Sequence, residues 1–335
     1  MDILEYVFDK AKEDPQRIVF PEASNEKMLL AAHEAANKGY IVPILIGEKT
    51  AKENCARLGL DDSLFTYVNI DDESYRDTLI KRYTNMPGTI LEAKPLTRRM
   101  ADPLNFALVM EAVGEADCTF AGIEYTTAEV IFAGQSIVGF AEGITTISSV
   151  GIFNIPGYAG SEGTLLAFGD SAVCTDPDAE QLANIAISAC DTVKSLLGWD
   201  ARCALLSYST QGSGEGPMVD KVIQALKIAN ELRPELAIDG EFQLDAAINP
   251  EVAKKKVKRD SIVAGRANII IWPDLNVGNV GVKLVTQFAR ADAYGPMLQG
   301  FRKIVCDCSR GAPVSELVGN IAFSAVRASN LKKLE

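Results

Sequence analysis

Three side chains near the C-terminus have the types and spacing to do chemistry together. Residues 303–327 read KIVCDCSRGAPVSELVGNIAFSAVR and carry Ser309, Arg310 and Glu316. A short β-rich run, Ile304, Val305 and Cys306, leads in, and Val314, Leu317, Val318, Ile321 and Ala325 follow at helical spacing. Pro313 suits the first helical position. A strand that turns through Ser309, Arg310 and Gly311 into a helix N-terminus predicts an anion site. Free backbone N–H groups, the helix dipole and a guanidinium able to make two bonds all converge there. Glu316 falls in the first helical turn, roughly opposite the apolar stripe, and should face solvent or a cleft. It reads either as a solvated acid favoured by the helix dipole or as a general base beside an anion-binding arginine. Spacing leaves both readings open.

Three further stretches carry candidate binding groups. In GIEYTTAEVIFAGQ (122–135), Thr126 or Thr127 stands at a strand-to-helix turn, where a threonine caps the helix or meets a ligand. In TQGSGEGP (210–217), Thr210, Gly212 and Ser213 lie between a strand and a helix and form a second possible anion cradle, or only a loop. In LNVGNVGVKLV (275–285), Gly278 and Gly281 bracket Asn279 where a strand is expected to hand over to a helix, with Lys283 following. Ordinary turn chemistry is the plainer account of that pattern. Residues 84–101 read as an irregular charged loop with Lys94, Arg98 and Arg99.

Elements must position these groups. RIVFPEAS (17–24), IVPILIGE (41–48), FTYVNI (65–70) and CTFAG (118–122) read as strands, separated by helices over about 26–38, 49–58 and from Asp72, and near 103–113. This alternation predicts an α/β fold with a parallel sheet covered on both faces. From about residue 144 two β-rich runs, 145–155 and 164–174, follow without a helix between them and begin a second domain. Residues 176–198 read as a helix with Asp176 as cap, Pro177 at the first position and Gly198 as stop.

Composition narrows the function. The 335 residues are 47% hydrophobic and 23% charged, with a formal net charge of −12. The length suffices for two cores. The acidic balance argues against nucleic acid as a partner, since phosphate backbones need a basic surface. No run of 18 apolar residues occurs and residues 1–15 have no signal-peptide core, so neither membrane insertion nor export is expected and a cytoplasmic location is. The seven cysteines form no C-x-x-C pair and read as free thiols; the lone histidine, His33, reads as structural. No metal site and no Ser-His-Asp triad is expected.

Several segments together resemble one family. SYSTQGSG (207–214), DGEFQLDAA (239–247), VAGRANIIIWPDLNVGN (263–279), GPMLQG (295–300) and CSRGAPVSELV (308–318) are similar to the phosphate acetyltransferases (phosphotransacetylases) and phosphate butyryltransferases. GDSAVCTDPDAEQLANIAI (169–187), TTAEV (126–130) and RIVFPEA (17–23) extend the likeness over nearly the whole chain. The resemblance implies two three-layer αβα domains with mostly parallel sheets and an interdomain cleft, as in isocitrate and isopropylmalate dehydrogenases. The first domain would hold residues 1–143 plus 292–335, including the catalytic turn, and the second 144–291. It also implies a homodimer, coenzyme A as substrate, and no permanently bound cofactor. In the family reaction a carboxylate takes the thiol proton of coenzyme A and the thiolate attacks an acyl phosphate. An adjacent serine and arginine hold the phosphate. The match places these roles on Glu316, Ser309 and Arg310, with Thr126, Thr127, Phe132, Thr210, Gly212, Ser213, Gly278, Asn279 and Lys283 in binding positions.

The chain departs from the family pattern at three places. Glu316 stands where aspartate is usual; Phe132-Ala133 stands where Arg-Pro is common; and a basic segment is replaced by YTNMPG (83–88), with Lys81 and Arg82 a turn earlier. The expected function is a phosphate acyltransferase moving an acetyl or other short acyl group. The alternatives are altered acyl specificity, with Phe132 as an apolar wall and Lys94, Arg98 or Arg99 supplying the lost charge, or a catalytically weak protein that binds coenzyme A thioesters.

Overall fold

Strands and helices alternate from the start of the chain, and several helices begin on a side chain that holds their open N–H groups. The structure, a computed structural model, describes residues 2–333. Helix α1 (Ile3–Glu13) is capped by Asp2 and is followed by β1 (Gln16–Phe20). Asn25 caps α2 (Glu26–Asn37), which leads to β2 (Ile41–Ile46). Then come α3 (Glu48–Leu58), β3 (Thr66–Val68), α4 (Glu73–Thr84), α5 (Ala93–Arg99) and α6 (Pro103–Ala112). The segment closes with β4 (Cys118–Ala121) and α7 (Thr127–Ile137).

The next elements are β5 (Ser148–Asn154), β6 (Leu165–Gly169), α8 (Ala179–Leu197), β7 (Arg202–Leu206) and α9 (Pro217–Leu232). They continue with β8 (Ala237–Phe242), α10 (Leu244–Ile248), α11 (Pro250–Lys256), β9 (Ile269–Ile271), α12 (Leu275–Phe288) and β10 (Asp292–Gln299). The chain ends in β11 (Ile304–Asp307) and α13 (Val314–Lys332).

Two units result, Met1–Ala141 with Phe301–Glu335, and Glu142–Gly300. The first is built on a parallel sheet of order β11-β4-β1-β2-β3. Its strands are buried on both faces, as parallel strands flanked by helices must be: Ile18, Val19, Phe20, Leu45 and Phe120 are all enclosed. The second unit has a sheet of order β10-β5-β6-β9-β7-β8, in which β5 runs antiparallel to both β10 and β6, and β6, β9, β7 and β8 are mutually parallel. Both are α/β units with mostly parallel sheets, as expected. No helix among the described residues is long and apolar enough to cross a membrane.

Four local expectations need correction. Residues 292–300 belong with the second unit, because β10 pairs antiparallel with β5 from Asp292↔Asn154 to Gln299↔Ser148. The stretch 84–101 contains a helix, α5, with Leu96 fully buried as its anchor. The cap of α8 is Asp178 rather than Asp176, and Asp178 forms a capping box with Gln181. Gly278, Asn279 and Gly281 lie inside α12 rather than at a strand-helix junction. A Cβ on Gly278 would fall 2.3 Å from the Asp170 carbonyl oxygen and 2.9 Å from the Trp272 ring. The glycine lets α12 lie directly on the turn after β6.

Candidate active site

The corner that holds Ser309, Arg310 and Glu316 is built at one edge of the first unit's sheet. β11 lies parallel to β4 in the register Ile304↔Cys118 to Asp307↔Ala121. The ladder runs one residue further, with the Cys308 N–H donating to the Ala121 carbonyl at 2.9 Å. The chain then turns. The N–H of Gly311 donates to Ser309 Oγ at 3.3 Å, and that of Ala312 to the Ser309 carbonyl at 3.0 Å. Pro313 is the residue before α13 and provides no side-chain cap, so the helix opens with N–H groups free for an anion. Ser309, Arg310, Gly311 and Glu316 are exposed, while Leu317, Val318 and Ile321 are buried against the unit.

Two anchors that the sequence reading missed hold this turn. Lys27, in the first turn of α2, donates from Nζ to the carbonyl oxygens of Arg310 at 3.0 Å and Ala312 at 3.1 Å. Asp307, at the end of β11, accepts from Thr127 Oγ1 at 2.6 Å through Oδ2. Burial pushes the Asp307 carboxyl up to about 6 against the pull of the Thr127 bond; the charge of Glu22 adds to the rise and Arg310 opposes it. Glu22, buried just after β1, accepts the N–H groups of Ile123 (3.1 Å), Glu124 (2.6 Å) and Tyr125 (2.8 Å) and so fixes the approach to α7. Glu22 stood in a family-like segment, and Asp307 two residues before Ser309; no local signal marked either as an anchor. Thr126 is spent as the cap of α7, in a capping box with Glu129, and Thr127 is spent on Asp307.

The second unit presents its candidates differently. The loop 209–214 wraps around a carboxylate of the protein itself. Buried Glu241 accepts at Oε1 from the Gly212 N–H (2.8 Å) and from Ser209 Oγ (2.7 Å). Thr210 N–H donates to Ser213 Oγ at 2.9 Å, and Gln243 N–H donates to Thr210 Oγ1 at 3.0 Å. The N–H of Gly212 is therefore already engaged by an anion. Asn279 and Lys283 are placed otherwise: both line a cavity of about 270 Å³ with Ser171, Ala172, Thr286 and Tyr294. The floor of that cavity is fixed by buried Asp170, which accepts from the N–H groups of Ala172, Val173 and Cys174. Gly278 supports the helix that carries both residues. His33 accepts from the Asp61 N–H at 3.2 Å. Among the described residues, no group of three or more His, Cys, Asp and Glu side chains could hold a metal ion.

A profile described as Phosphate acetyl/butaryl transferase matches residues 2–325. The chain belongs to that family. The phosphate acetyltransferase of Clostridium acetobutylicum is 38% identical over 333 residues, covering 98% of this chain and 99% of that protein. The enzyme of the same name from Acetivibrio thermocellus is 38% identical over 338 residues, covering 99% of this chain and all of that one (100%). Among solved structures, a phosphotransacetylase from Streptococcus pyogenes superposes with a TM-score of 0.88 at 32% identity, with 98% of each chain covered.

Phe132, expected from the sequence to depart from the family pattern, lies beside a positive charge. Phe132 projects from α7 with 61% of its surface exposed, and the guanidinium carbon of Arg99 lies 5.5 Å from its ring centroid. That is a cation–π arrangement. The helix α5, absent from the sequence reading, is what brings Arg99 to α7. Arg82 is committed elsewhere: its guanidinium is bonded to the Glu115 carboxylate and, at 2.7 Å, to the Val113 carbonyl.

Proposed function

We propose that Glu316, Ser309 and Arg310 perform the chemistry of a phosphate acyltransferase. The reaction is the reversible transfer of an acyl group between phosphate and coenzyme A, the activity of the family to which the chain belongs. Glu316 takes the proton from the coenzyme A thiol. A thiol of pKa about 8.5 is only a few per cent ionised near neutrality, so a placed base accelerates the step. The thiolate then attacks the carbonyl carbon of the acyl phosphate. The tetrahedral adduct collapses, the bond from carbon to the bridging oxygen breaks, and phosphate leaves with the electron pair. Arg310, the Ser309 hydroxyl and the open N–H groups of α13 receive the phosphate and the charge that develops on it. The observation that carries the reading is the exposed Ser309-Arg310 turn at a helix N-terminus, with Glu316 exposed on the same first turn.

Substrate binding in the second unit falls to Asn279 and Lys283, whose cavity joins an ammonium to polar and apolar walls, as an anionic cofactor-like substrate requires. Altered acyl preference is favoured by one observation, the Arg99–Phe132 stack. Phe132 serves as an apolar wall and Arg99 supplies a positive charge beside it. The protein acts in the cytoplasm, in keeping with its free thiols, and as a homodimer. Val277, Val280, Leu284 and Phe288 form an exposed apolar stripe along α12, with Phe288 84% exposed. Light scattering of Phe288→Glu at half the mass of the parent protein would support the dimer; an unchanged mass would contradict its placement on this stripe.

A coupled assay tests the reading. Purified protein, coenzyme A and a panel of acetyl, propionyl and butyryl phosphates are followed by thioester absorbance. Turnover with at least one of them, abolished in Arg310→Gln, is expected. No thioester from any of the three, with coenzyme A still bound, would leave only a coenzyme A-binding protein.

A further inference from the structure

The carboxylate of Asp307 is built into the first unit at a cost that fold alone does not require. One oxygen, Oδ2, accepts from Thr127 Oγ1 at 2.6 Å. The other, Oδ1, is buried without a hydrogen-bond partner among the described residues. Space for it is made by Gly122, whose φ of 109° is one that other residues avoid and whose missing Cβ would fall 2.2 Å from Oδ1. A half-satisfied buried carboxylate is destabilising. An asparagine there could accept the same Thr127 hydroxyl with no charge to bury. The charge therefore needs a use beyond folding.

We propose that Asp307 is a positioning residue for acyl transfer: it ties the first turn of α7 to the Ser309-Arg310 turn and orients the Arg310 guanidinium by its charge. The proposal rests on Arg310 as the phosphate-binding group. Thr127 opens the helix that carries Phe132, so Asp307 links that helix to the turn proposed to hold the phosphate. The groups facing Asp307 come from each surrounding element: Glu22 after β1, Thr127 on α7, Cys308 next in sequence and Arg310 on the turn. Glu22 is engaged by three backbone N–H groups, and the positive charge of Arg310 opposes the rise in the Asp307 carboxyl. Burial sets the Asp307 carboxyl near 6, so its charge, and the orientation it imposes, is lost below that pH.

The test is Asp307→Asn in the full chain, with kcat and KM for acetyl phosphate measured from about pH 5 to about pH 8. The expected result is a loss of about 10- to 100-fold in kcat/KM, carried by KM, with no fall in Tm at neutral pH. The acid limb near pH 6 in the parent protein's profile should be missing from the variant. A variant with parental KM and an unchanged acid limb would overturn the assignment. If Asp307→Asn does not fold, Thr127→Val and Thr127→Ser decide. A raised KM in the first, restored in the second, supports the link, and a parental KM in Thr127→Val refutes it. Failure of the parent protein to turn over any acyl phosphate strikes the functional reading itself; parental turnover with an indifferent Asp307→Asn strikes only the positioning role.

Discussion

The ammonium of Lys27 and the carbonyl oxygen of Arg310 lie 3.0 Å apart across 283 residues of sequence. The same ammonium reaches the Ala312 carbonyl at 3.1 Å, so one cation spans the Ser309–Ala312 turn. Two carbonyls that would otherwise point away from any ladder are thereby satisfied, and the turn takes one shape. Lys27→Met keeps the side-chain stem and removes both bonds. It is expected to lower kcat/KM for acetyl phosphate about tenfold, since a displacement on the order of 1 Å in a catalytic turn is costly. The loss in stability should stay near about 1 kcal/mol, because the site is partly exposed. Steady-state kinetics with a denaturant titration separates the two effects.

Among the described residues Glu316 bears no bond to another side chain, and it stands exposed on the first turn of α13, free to meet a thiol. Glu316→Gln preserves size and removes basicity. Turnover should fall by about 10²- to 10⁴-fold, the usual contribution of general base catalysis, with the fold unchanged by circular dichroism. Equal rates in the variant and the parent would assign proton removal to another group.

Arg99 and Phe132 make a paired prediction. Arg99→Ala removes a charge from beside an exposed ring, and KM for every acyl phosphate should rise by roughly tenfold. Phe132→Ala removes an apolar wall instead. It should lower the preference for butyryl over acetyl phosphate by about fivefold, within the range that one or two methylenes command in an apolar site. A Phe132→Ala variant whose butyryl-to-acetyl ratio equals the parent's would take Phe132 out of acyl selection.

Glu111 is fully enclosed on α6, and burial pushes its carboxyl up to about 8. The folded protein holds that proton at neutral pH while the unfolded chain releases it above about 4.5. Stability from this group is thus full in acid and is lost as pH rises from about 4.5 through about 8. Glu111→Gln carries no such penalty. It should raise stability by roughly 2 kcal/mol at neutral pH and change it little at about pH 4.5, as read from thermal unfolding at the two values.

The parallel β-α alternation of the first 141 residues, the turn at 309–311 and the outward face of Glu316 were all legible in the sequence. Each is a local matter of periodicity and punctuation within some 25 residues, as in the stretch 303–327. Other features were decided only by folding. Glycine in a turn and glycine at a close packing contact look alike in sequence, so the pattern around Gly278 reads as a junction although the residue lies within α12, against Asp170 and Trp272. The glycine-rich loop after β7 reads as an anion cradle or only a loop, and its Gly212 N–H holds the protein's own Glu241. Lys27 with Arg310, Thr127 with Asp307, and Arg99 with Phe132 meet only because strands and helices distant in sequence pack side by side. The chemical groups of the corner were written locally; their orientation comes from residues that only tertiary packing brings within reach.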